Sequence, residues 1–317
     1  MADFEPNSGA TAPAQDTKPA SIQPFISTPP ETNGLSDEEI HDPNKIKIAI
    51  ADTSIPIVVL FGPPSCGKTM TLIRMTRFLR SVGYTVEPDR SFRPSTDGHY
   101  ENLCDNFDNM VSQIEAADST DKINFMLVKV FKEGKPICQI LESPGEYYFK
   151  PSAPSAQFPL YINDIINNKN RKIWVLFTEP SHTNRLMSDS QTRGLYSKKI
   201  KELKSKLSSR NRIIFLYNKI DETPFVNGIG KINYRQAIKD VQNNYDNIFA
   251  PFKNLNPITK LWQEYRFDFV VFQSGDFVVF QSGDFVKAED GSYSFSVGND
   301  YYPKKLWEFL LKNIRGH

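Results

Sequence analysis

The chain has few of the residues that build metal clusters, disulfide frameworks or hydrolytic triads. Its 317 residues include three cysteines and four histidines, and these show neither zinc-ligand spacing nor a Ser-His-Asp arrangement. So few cysteines cannot make a disulfide framework, which favours a reducing compartment. The apolar runs are far too short to cross a bilayer, and the N-terminus lacks the basic and apolar regions of a secretory signal. We therefore expect a soluble, cytoplasmic protein with no membrane span.

Acidic and basic residues balance overall but not locally. The whole chain has a net charge of +1. Residues 1–43 hold seven prolines, eight acids and the single base Lys18, so residues 1–44 are expected to form a disordered acidic tail. The remaining body, residues 45–317, carries a net charge of +8. It is long enough for one α/β domain with insertions, which are expected at about 85–121 and 277–298.

The strongest motif is a glycine-rich loop that directly follows an apolar strand. The run Ile57–Phe61 leads into Gly62-Pro63-Pro64-Ser65-Cys66-Gly67-Lys68-Thr69, which has the spacing of a phosphate-binding loop. The glycines let the backbone curl so that successive N–H groups point at phosphate oxygens. Lys68 adds a positive charge, and Thr69 offers a hydroxyl to a magnesium ion held by the phosphates. The motif therefore predicts binding of a nucleotide together with Mg²⁺.

A second motif indicates which base is bound. The apolar run Arg212–Tyr217 reads as a strand and continues into Asn218-Lys219-Ile220-Asp221. The carboxylate of Asp221 can accept hydrogen bonds from N1–H and the 2-amino group of guanine, a pair that adenine cannot offer, and Asn218 can reach the other edge of the purine. The expected ligands are therefore GTP and GDP rather than ATP.

The order of these motifs resembles that of the Ras-like (TRAFAC-type) P-loop GTPases, from about residue 45 to the C-terminus. The resemblance implies that Glu142 takes the place of the aspartate that holds magnesium through water, and that Gly145 takes the place of the glycine whose N–H contacts the γ-phosphate. It also implies that Glu146 occupies the position of the water-orienting residue. The loop containing Ser274 and Gly275 is the nearest counterpart of the loop that cups guanine in this family.

Three departures from the family pattern leave hydrolysis open. Glu142 is one methylene longer than aspartate, Glu146 brings a negative charge near the γ-phosphate, and Pro64 removes one backbone N–H from the loop. The main hypothesis is a magnesium-dependent GTP switch with slow hydrolysis. The alternative is a nonhydrolysing GTP-dependent interaction module. A P-loop kinase of small molecules is disfavoured because nothing obvious provides an acceptor site or a lid. The long insert and the Glu-x-x-Gly motif suggest a divergent, bacterial branch of the family.

Residues that would change with the bound nucleotide are harder to place. Thr96 is the candidate for the threonine that closes over magnesium and the γ-phosphate, with Arg90 or Arg93 as an internal positive charge, although a plain turn would use the same residue types. The aromatic run Tyr147–Phe149 could present a surface to an effector or regulator protein, or could be buried packing. Basic residues in 198–212 could meet nucleic acid or anionic lipid, but a solvated helix face is the favoured interpretation, so nucleic acid is not an expected partner.

The element pattern predicts a three-layer α/β fold. We expect a six-stranded, mainly parallel sheet with one antiparallel strand and helices on both faces. Besides the two motif strands, strands are expected at 124–131, 136–141, 172–177 and near 269, with an approach strand at 45–51, and helices are expected at 69–82, 158–168, 195–208, 234–249 and 304–314. Arg74 is expected on the outer side of the first helix.

An eight-residue unit occurs twice in direct succession, as Phe269–Asp276 and Phe277–Asp284. Either copy could form the sixth strand, because both present the same apolar run and the same Gln-Ser-Gly turn. We expect the first copy to do so. The second copy would then extend a hairpin that pairs residues 285–287 with residues 293–297.

Overall fold

The computed structural model describes residues 35–112, 125–152, 156–228, 230–260, 262–273, 285–287, 293–295 and 299–316. The expectations for Ser274 and Gly275, for the second repeat copy and for the tail before residue 35 lie outside these residues. Within these ranges, no helix combines the length and the apolar character that crossing a bilayer requires.

A seven-stranded sheet forms the centre of the fold. Its strands are β1 Ile57–Phe61, β2 Tyr84–Pro88, β3 Met126–Lys132, β4 Lys135–Glu142, β5 Lys172–Thr178, β6 Arg212–Tyr217 and β7 Asp268–Val271. They lie in the order β2-β3-β4-β1-β5-β6-β7. Only β3 is antiparallel to its neighbours, and the other pairs are parallel. The predicted fold class and its single antiparallel strand are confirmed, whereas the sheet has seven strands rather than six.

Helices cover both faces of this sheet. Those described are α1 Asp37–His41, α2 Lys68–Ser81, α3 Gly98–Ser112, α4 Leu160–Asn167, α5 Ser190–Lys206, α6 Tyr234–Asn244, α7 Pro257–Lys260 and α8 Tyr301–Arg315. On one face α2 contacts both α3 and α8. Elsewhere, Tyr196 of α5 packs edge to face against Phe149 and against Tyr245, which follows α6.

The central strands β1 and β5 are predominantly apolar because helices cover them on both sides. Every residue of β1 and β5 is buried. The rings of Phe61 and Trp174, on these two strands, lie 5.8 Å apart in an edge-to-face contact. Since β1, β5 and β6 run parallel, their carboxyl ends lie at one edge of the sheet, where ligands of open α/β sheets bind. The two sequence motifs follow β1 and β6, so the topology places them together at that edge.

The repeat and the hairpin follow the sequence expectation where they are described. The first copy supplies β7, whose residues pair with β6 from Ile214↔Asp268 to Tyr217↔Val271. Strand β8 Phe285–Lys287 pairs antiparallel with β9 Tyr293–Phe295. The first copy therefore forms the strand that was predicted as the sixth, and this strand is β7 of the sheet.

Three regions differ locally from the expected structure. Residues 45–51 form no strand: the single turn Pro43–Lys45 is followed by irregular backbone, in which the Ala49 N–H bonds the Phe92 carbonyl at 2.8 Å. The stretch 85–121, expected as an insertion, contains most of β2 and the whole of α3. Residues 37–41, expected to be disordered, are helical because Ser36 and Glu39 form a capping box.

Candidate functional site

The loop between β1 and α2 has the backbone shape of a phosphate cradle. Ser65 and Gly67 adopt left-handed conformations, with φ of +60° and +88°, and they curl the chain between strand and helix. Gly67 precedes the first turn of α2, and no side chain in the described ranges caps that helix N-terminus. The N–H groups of a first helical turn have no intrahelical partner and favour an anion. The loop can therefore bind phosphate through its backbone.

Lys68 lies within this loop and is buried. Its Nζ donates to the carbonyl oxygens of Gly62 and Pro63, at 3.2 and 3.1 Å. These bonds hold the ammonium group inside the curl of the backbone, where a bound phosphate would meet it. The charge is thus positioned before any ligand arrives.

Thr69 and Glu142 meet at the position expected for a metal. The Thr69 hydroxyl donates to Glu142 Oε1 at 3.4 Å. Glu142 ends β4 and is 1% exposed, and its other oxygen, Oε2, has no hydrogen-bond partner among the described residues. Burial raises the pKa of Glu142 to about 8, while Lys68 opposes that shift and Glu146 adds to it. An orphaned carboxylate oxygen beside a threonine hydroxyl fits the hard oxygen ligands that Mg²⁺ takes alongside phosphates and water.

Gly145 lies against the phosphate-binding loop with no room for a side chain. A Cβ there would be 2.5 Å from the Gly62 carbonyl oxygen and 2.7 Å from backbone atoms of Pro63 and Pro64. All three neighbours are backbone, so they cannot rotate away. The segment after β4 therefore touches the phosphate-binding loop directly, and the predicted contact of the Gly145 N–H with a γ-phosphate stays a prediction.

Tyr148 adds a second connection between these segments. Its hydroxyl accepts from the Gly62 N–H at 2.9 Å and donates to the Gly62 carbonyl at 2.7 Å. Its ring stacks on Phe61 with centroids 4.2 Å apart. Tyr148 and Phe149 are buried and Tyr147 is half-buried. Of the two alternatives for this aromatic run, packing is the one that the structure supports.

The second sequence motif, Asn218–Asp221, lies beside the same loop and is called the guanine motif after its predicted role. Asn218 donates through Nδ2 to the Cys66 carbonyl at 2.7 Å, and its backbone N–H bonds the Thr178 carbonyl of β5 at 2.8 Å. Asp221 follows in the short turn Ile220–Glu222 and is half-buried, with its Oδ1 atom buried. Two motifs separated by about 150 residues of sequence are thus in direct contact through Asn218.

Glu179 is a buried residue that sequence reasoning missed. It follows β5, is fully buried, and pairs with Lys219 at 2.9 Å. Its other oxygen accepts from Asn184 at 2.7 Å, and Asn184 also donates to the Pro64 carbonyl at 3.0 Å. Burial raises the pKa of Glu179, an effect that Lys219 opposes. Glu179 therefore positions the guanine motif and the phosphate-binding loop relative to each other, and no local sequence pattern signals this role.

Arg74 was also misjudged, because it is buried rather than on the outer side of α2. It donates to the carbonyls of Gln273 and Asn299, the latter at 3.1 Å. Burial lowers its pKa to about 10, and the nearby charge of Asp221 opposes that shift. Arg74 thus fastens the two residues that flank 274–298 close to the guanine motif. Its contacts lie about 200 positions away in sequence, which no helical periodicity could reveal.

Other predicted residues lie apart from this cluster or outside the described ranges. Thr96 is in an exposed turn between β2 and α3, and the structure shows no contact between it and the loop residues. Arg93 is buried in pairs with Glu39 and Asp97, and Arg90 pairs with acids of α3. Glu146 is half-buried next to Glu142. No cluster of three or more acidic, histidine or cysteine side chains suits a metal in the described ranges.

Neither a protein-family model nor a curated protein matches this sequence. Solved structures do align with it. One is Toc33 from Arabidopsis thaliana in complex with Mg²⁺ and GMPPNP, at 11% identity and a TM-score of 0.40 over 84% of this chain and 87% of that one. Another is a structure of the chloroplast translocon components atToc33 and psToc159, at 11% identity and a TM-score of 0.43 over 84% and 85%. A third is the S. cerevisiae Ski7 GTPase-like domain bound to GTP, at 12% identity and a TM-score of 0.39 over 89% and 53%. Scores this low carry no functional argument, so function must follow from the residues of the site.

Proposed function

We propose that this protein is a magnesium-dependent guanine-nucleotide-binding protein that hydrolyses GTP slowly to GDP and phosphate. The observation that carries the proposal is the 2.7 Å hydrogen bond from Asn218 to the Cys66 carbonyl. It joins the base-recognition motif to the phosphate-binding loop, so that one nucleotide can engage both. The neighbouring structures with GTP or GMPPNP are consistent with this reading but do not carry it.

Each part of the proposed site has a distinct task. Lys68 and the loop N–H groups bind the phosphates, and Asp221 accepts from N1–H and the 2-amino group of guanine. Thr69 and Glu142 would hold Mg²⁺, directly or through water. That ion would neutralise charge on the phosphate oxygens. Ser274 and Gly275 cup the guanine in the proposal, and Thr96 remains the proposed threonine of the first switch segment.

The proposed hydrolysis depends on the short segment after Glu142. The Gly145 N–H contacts the γ-phosphate, and Glu146 accepts a proton from, or orients, the attacking water. A carboxylate in this position also brings negative charge toward the phosphate, which opposes the reaction. Turnover is therefore slow, and an effector or regulator protein would recognise the segments that contact the γ-phosphate.

One observation favours a second candidate, a nonhydrolysing GTP-dependent interaction module. Glu146 is half-buried and its charge raises the pKa of Glu142, so two acids would lie near a bound γ-phosphate. GTP turnover by the wild-type protein and by the Glu146→Gln variant distinguishes the two candidates. A loss of GTP turnover with unchanged GTP affinity supports hydrolysis through Glu146, whereas purified wild-type protein with no turnover at all supports the module.

Base recognition is tested by exchanging the guanine acceptor. Asp221→Asn should weaken GTP binding by about 100-fold or more, because the amide cannot accept both guanine donors. The same variant should gain affinity for xanthosine triphosphate, whose 2-oxo group can accept from the new amide. Exposed Asp246→Asn is the matched control and should change neither affinity. Equal affinity of the wild-type protein for ATP and GTP would refute the guanine assignment.

A further inference from the structure

Three large apolar side chains project from the loop that precedes β7. Leu255 is 88% exposed, Ile258 is 72% exposed and Trp262 is 89% exposed. These are the three most exposed large apolar side chains in the described ranges, and they lie within eight positions of one another. Single exposed apolar residues are ordinary, but a cluster of them marks an interaction surface. We call these three residues the apolar tip.

The tip stands on an ordered stem. Buried Asn254 bonds the Glu264 carbonyl through its N–H at 2.8 Å and the Gln263 carbonyl through Nδ2 at 3.1 Å. Below it, the Arg266 N–H bonds the Phe252 carbonyl at 2.8 Å. The base of the stem packs in an aromatic cluster of Phe215, Phe249, Phe252, Tyr265 and Phe267. The fold therefore leaves the apolar tip exposed on a loop whose base is held by hydrogen bonds and aromatic packing.

Basic side chains lie beside the stem that carries the apolar tip. A cleft at the base of the stem is lined by Lys204, Arg212, Arg266 and Lys312, and exposed Lys260 lies on the loop itself. We call these five residues the basic ring. The acid in the cleft, Asp268, is already bonded by Lys312 at 2.9 Å and by Asn313 at 2.7 Å. Glu264 on the stem is the one acid among residues 253–266. The surface thus combines apolar side chains with a local excess of cations.

We propose that the apolar tip and the basic ring dock this protein onto an anionic lipid bilayer. Trp262 and the two aliphatic side chains would enter the headgroup region, while the basic ring contacts lipid phosphates and carboxylates. A nucleic acid would use the cations but not the exposed leucine and isoleucine. A second copy of the chain would bring two basic rings together. Charge complementarity therefore favours the anionic bilayer over both alternatives.

The position of the surface suits such docking. Arg212 begins β6 and Asp268 begins β7, so the cleft lies at the amino ends of parallel strands whose carboxyl ends carry the nucleotide site. Docking at this edge leaves the opposite edge open to nucleotide. The inference goes beyond the proposed function and does not depend on it.

Vesicle binding by the full chain tests the proposal. The protein is mixed with vesicles of phosphatidylcholine alone, or of phosphatidylcholine with phosphatidylserine, and bound protein is measured by sedimentation. We expect binding to the anionic vesicles only, weakened as salt is raised. Tryptophan fluorescence reports insertion because Trp174 and Trp307 are buried whereas Trp262 is exposed. Its emission should shift to the blue and be quenched by lipids brominated in the acyl chain.

Matched variants distinguish vesicle binding through the proposed surface from nonspecific binding. Trp262→Ala should lower vesicle partitioning about tenfold or more, and Lys204→Glu with Lys260→Glu should abolish the preference for anionic lipid. The controls, Leu160→Ala on an exposed site of α4 and Lys135→Glu at the exposed start of β4, should bind like wild type. Absence of vesicle binding, or binding unchanged in Trp262→Ala, overturns the proposal. RNA binding or self-association that Trp262→Ala abolishes, in a protein that ignores vesicles, also overturns it and identifies the other occupant.

Discussion

At the scale of single residues, the carboxyl of Glu142, the proposed magnesium ligand, is buried at a cost in stability. Its carboxyl is buried beside Thr69 with one oxygen lacking a partner in the described ranges. Desolvation disfavours the charged form, so without a metal the carboxyl holds its proton to higher pH. A residue placed this way stabilises a bound cation more than it stabilises the fold.

This placement predicts how stability depends on pH. Burial raises the pKa of Glu142 from 4.5 to about 8, so between these values the folded state binds a proton that the unfolded state has released. The free energy of unfolding of the metal-free protein must therefore fall as pH rises through that window. Glu142→Gln cannot lose a proton, so it should exceed wild type by a few kcal/mol near pH 8 and match it near pH 5. Urea unfolding in EDTA measures this difference, and a difference that does not change with pH would contradict the assignment.

Gly145 predicts a steric effect on nucleotide binding. Alanine would place a methyl group 2.5 Å from the Gly62 carbonyl oxygen, so Gly145→Ala must push the loop out of shape. We expect a loss of about 1–3 kcal/mol in stability and a larger relative loss in GTP affinity, both measured on the same preparation. The matched control is Gly194→Ala in α5, where an added Cβ meets nothing within 4 Å. That change should stabilise the protein by about 0.5–1 kcal/mol and leave GTP affinity unchanged.

The sequence predicts site residues whose partners are near in the chain, and misses those whose partners are distant. The cradle from Gly62 to Thr69 could be read because its geometry is fixed by spacing within one turn. The role of Glu179 could not be predicted, because it depends on Lys219 and Asn184, which contact Glu179 only in the folded protein. Arg74 looked like a solvent-facing helix residue for the same reason. A single sequence does not show which distant residues become neighbours after folding.

At the scale of elements, Tyr148 links the segment after β4 to the end of β1. Its two hydrogen bonds to Gly62 and its stacking on Phe61 hold the first glycine of the phosphate-binding loop. A displacement of the segment after β4 must therefore also displace the end of β1. Such a contact is a physical route by which occupancy of the phosphate site can change the conformation after Gly145.

Removing the Tyr148 hydroxyl tests this link. Tyr148→Phe keeps the stacked ring but leaves the Gly62 N–H unpaired, so we expect a loss of about 1–3 kcal/mol in stability and weaker GTP binding. Tyr161→Phe is the matched control, because the buried Tyr161 hydroxyl has no hydrogen-bond partner among the described residues. It should be neutral or stabilising. If both variants behave alike, the hydroxyl of Tyr148 does not connect the two segments.

Elements were predicted well where apolar periodicity is strong. The central strands and the hairpin of β3 and β4 follow the sequence closely. Strand β2 was missed because only Val86 is buried in it and it ends at Pro88, both typical of an edge strand. Helix α3 was missed although its buried residues, Tyr100, Leu103, Cys104, Phe107, Met110 and Val111, recur at helical spacing. There the signal was present, and the polar flanks obscured it.

At the scale of the whole molecule, the parallel sheet separates two surfaces of different character. The carboxyl ends of β1, β5 and β6 gather the residues of the proposed nucleotide site. The amino ends of β6 and β7 gather the basic ring and the apolar tip. A nucleotide at one edge and a bilayer at the other would not compete for space. Coupling between them would have to pass through the strands or through α8, which contacts both β5 and β7.

The duplicated segment allows the same substitution to be compared at equivalent positions of its two copies. Phe272 of the first copy is buried, its carbonyl accepts from the Ile220 N–H at 3.2 Å, and Arg74 lies over its ring. Phe272→Ala should therefore lower the free energy of unfolding by about 3–5 kcal/mol and weaken GTP binding through the guanine motif. The same substitution at the equivalent position of the second copy, Phe280→Ala, should change stability by less than about 0.5 kcal/mol.

Urea unfolding of both single variants and of the double variant measures these effects. Equal losses from the two single variants would contradict the assignment of β7 to the first copy. A double variant much less stable than the sum of the single effects has a different meaning, because the identical sequence allows the strand to shift onto the second copy when the first is damaged. In that case the duplication would act as a spare strand, and Phe272→Ala alone would cost less than a buried phenylalanine should. Additive losses would show that the longer loop needed before a shifted strand costs more than the damage does.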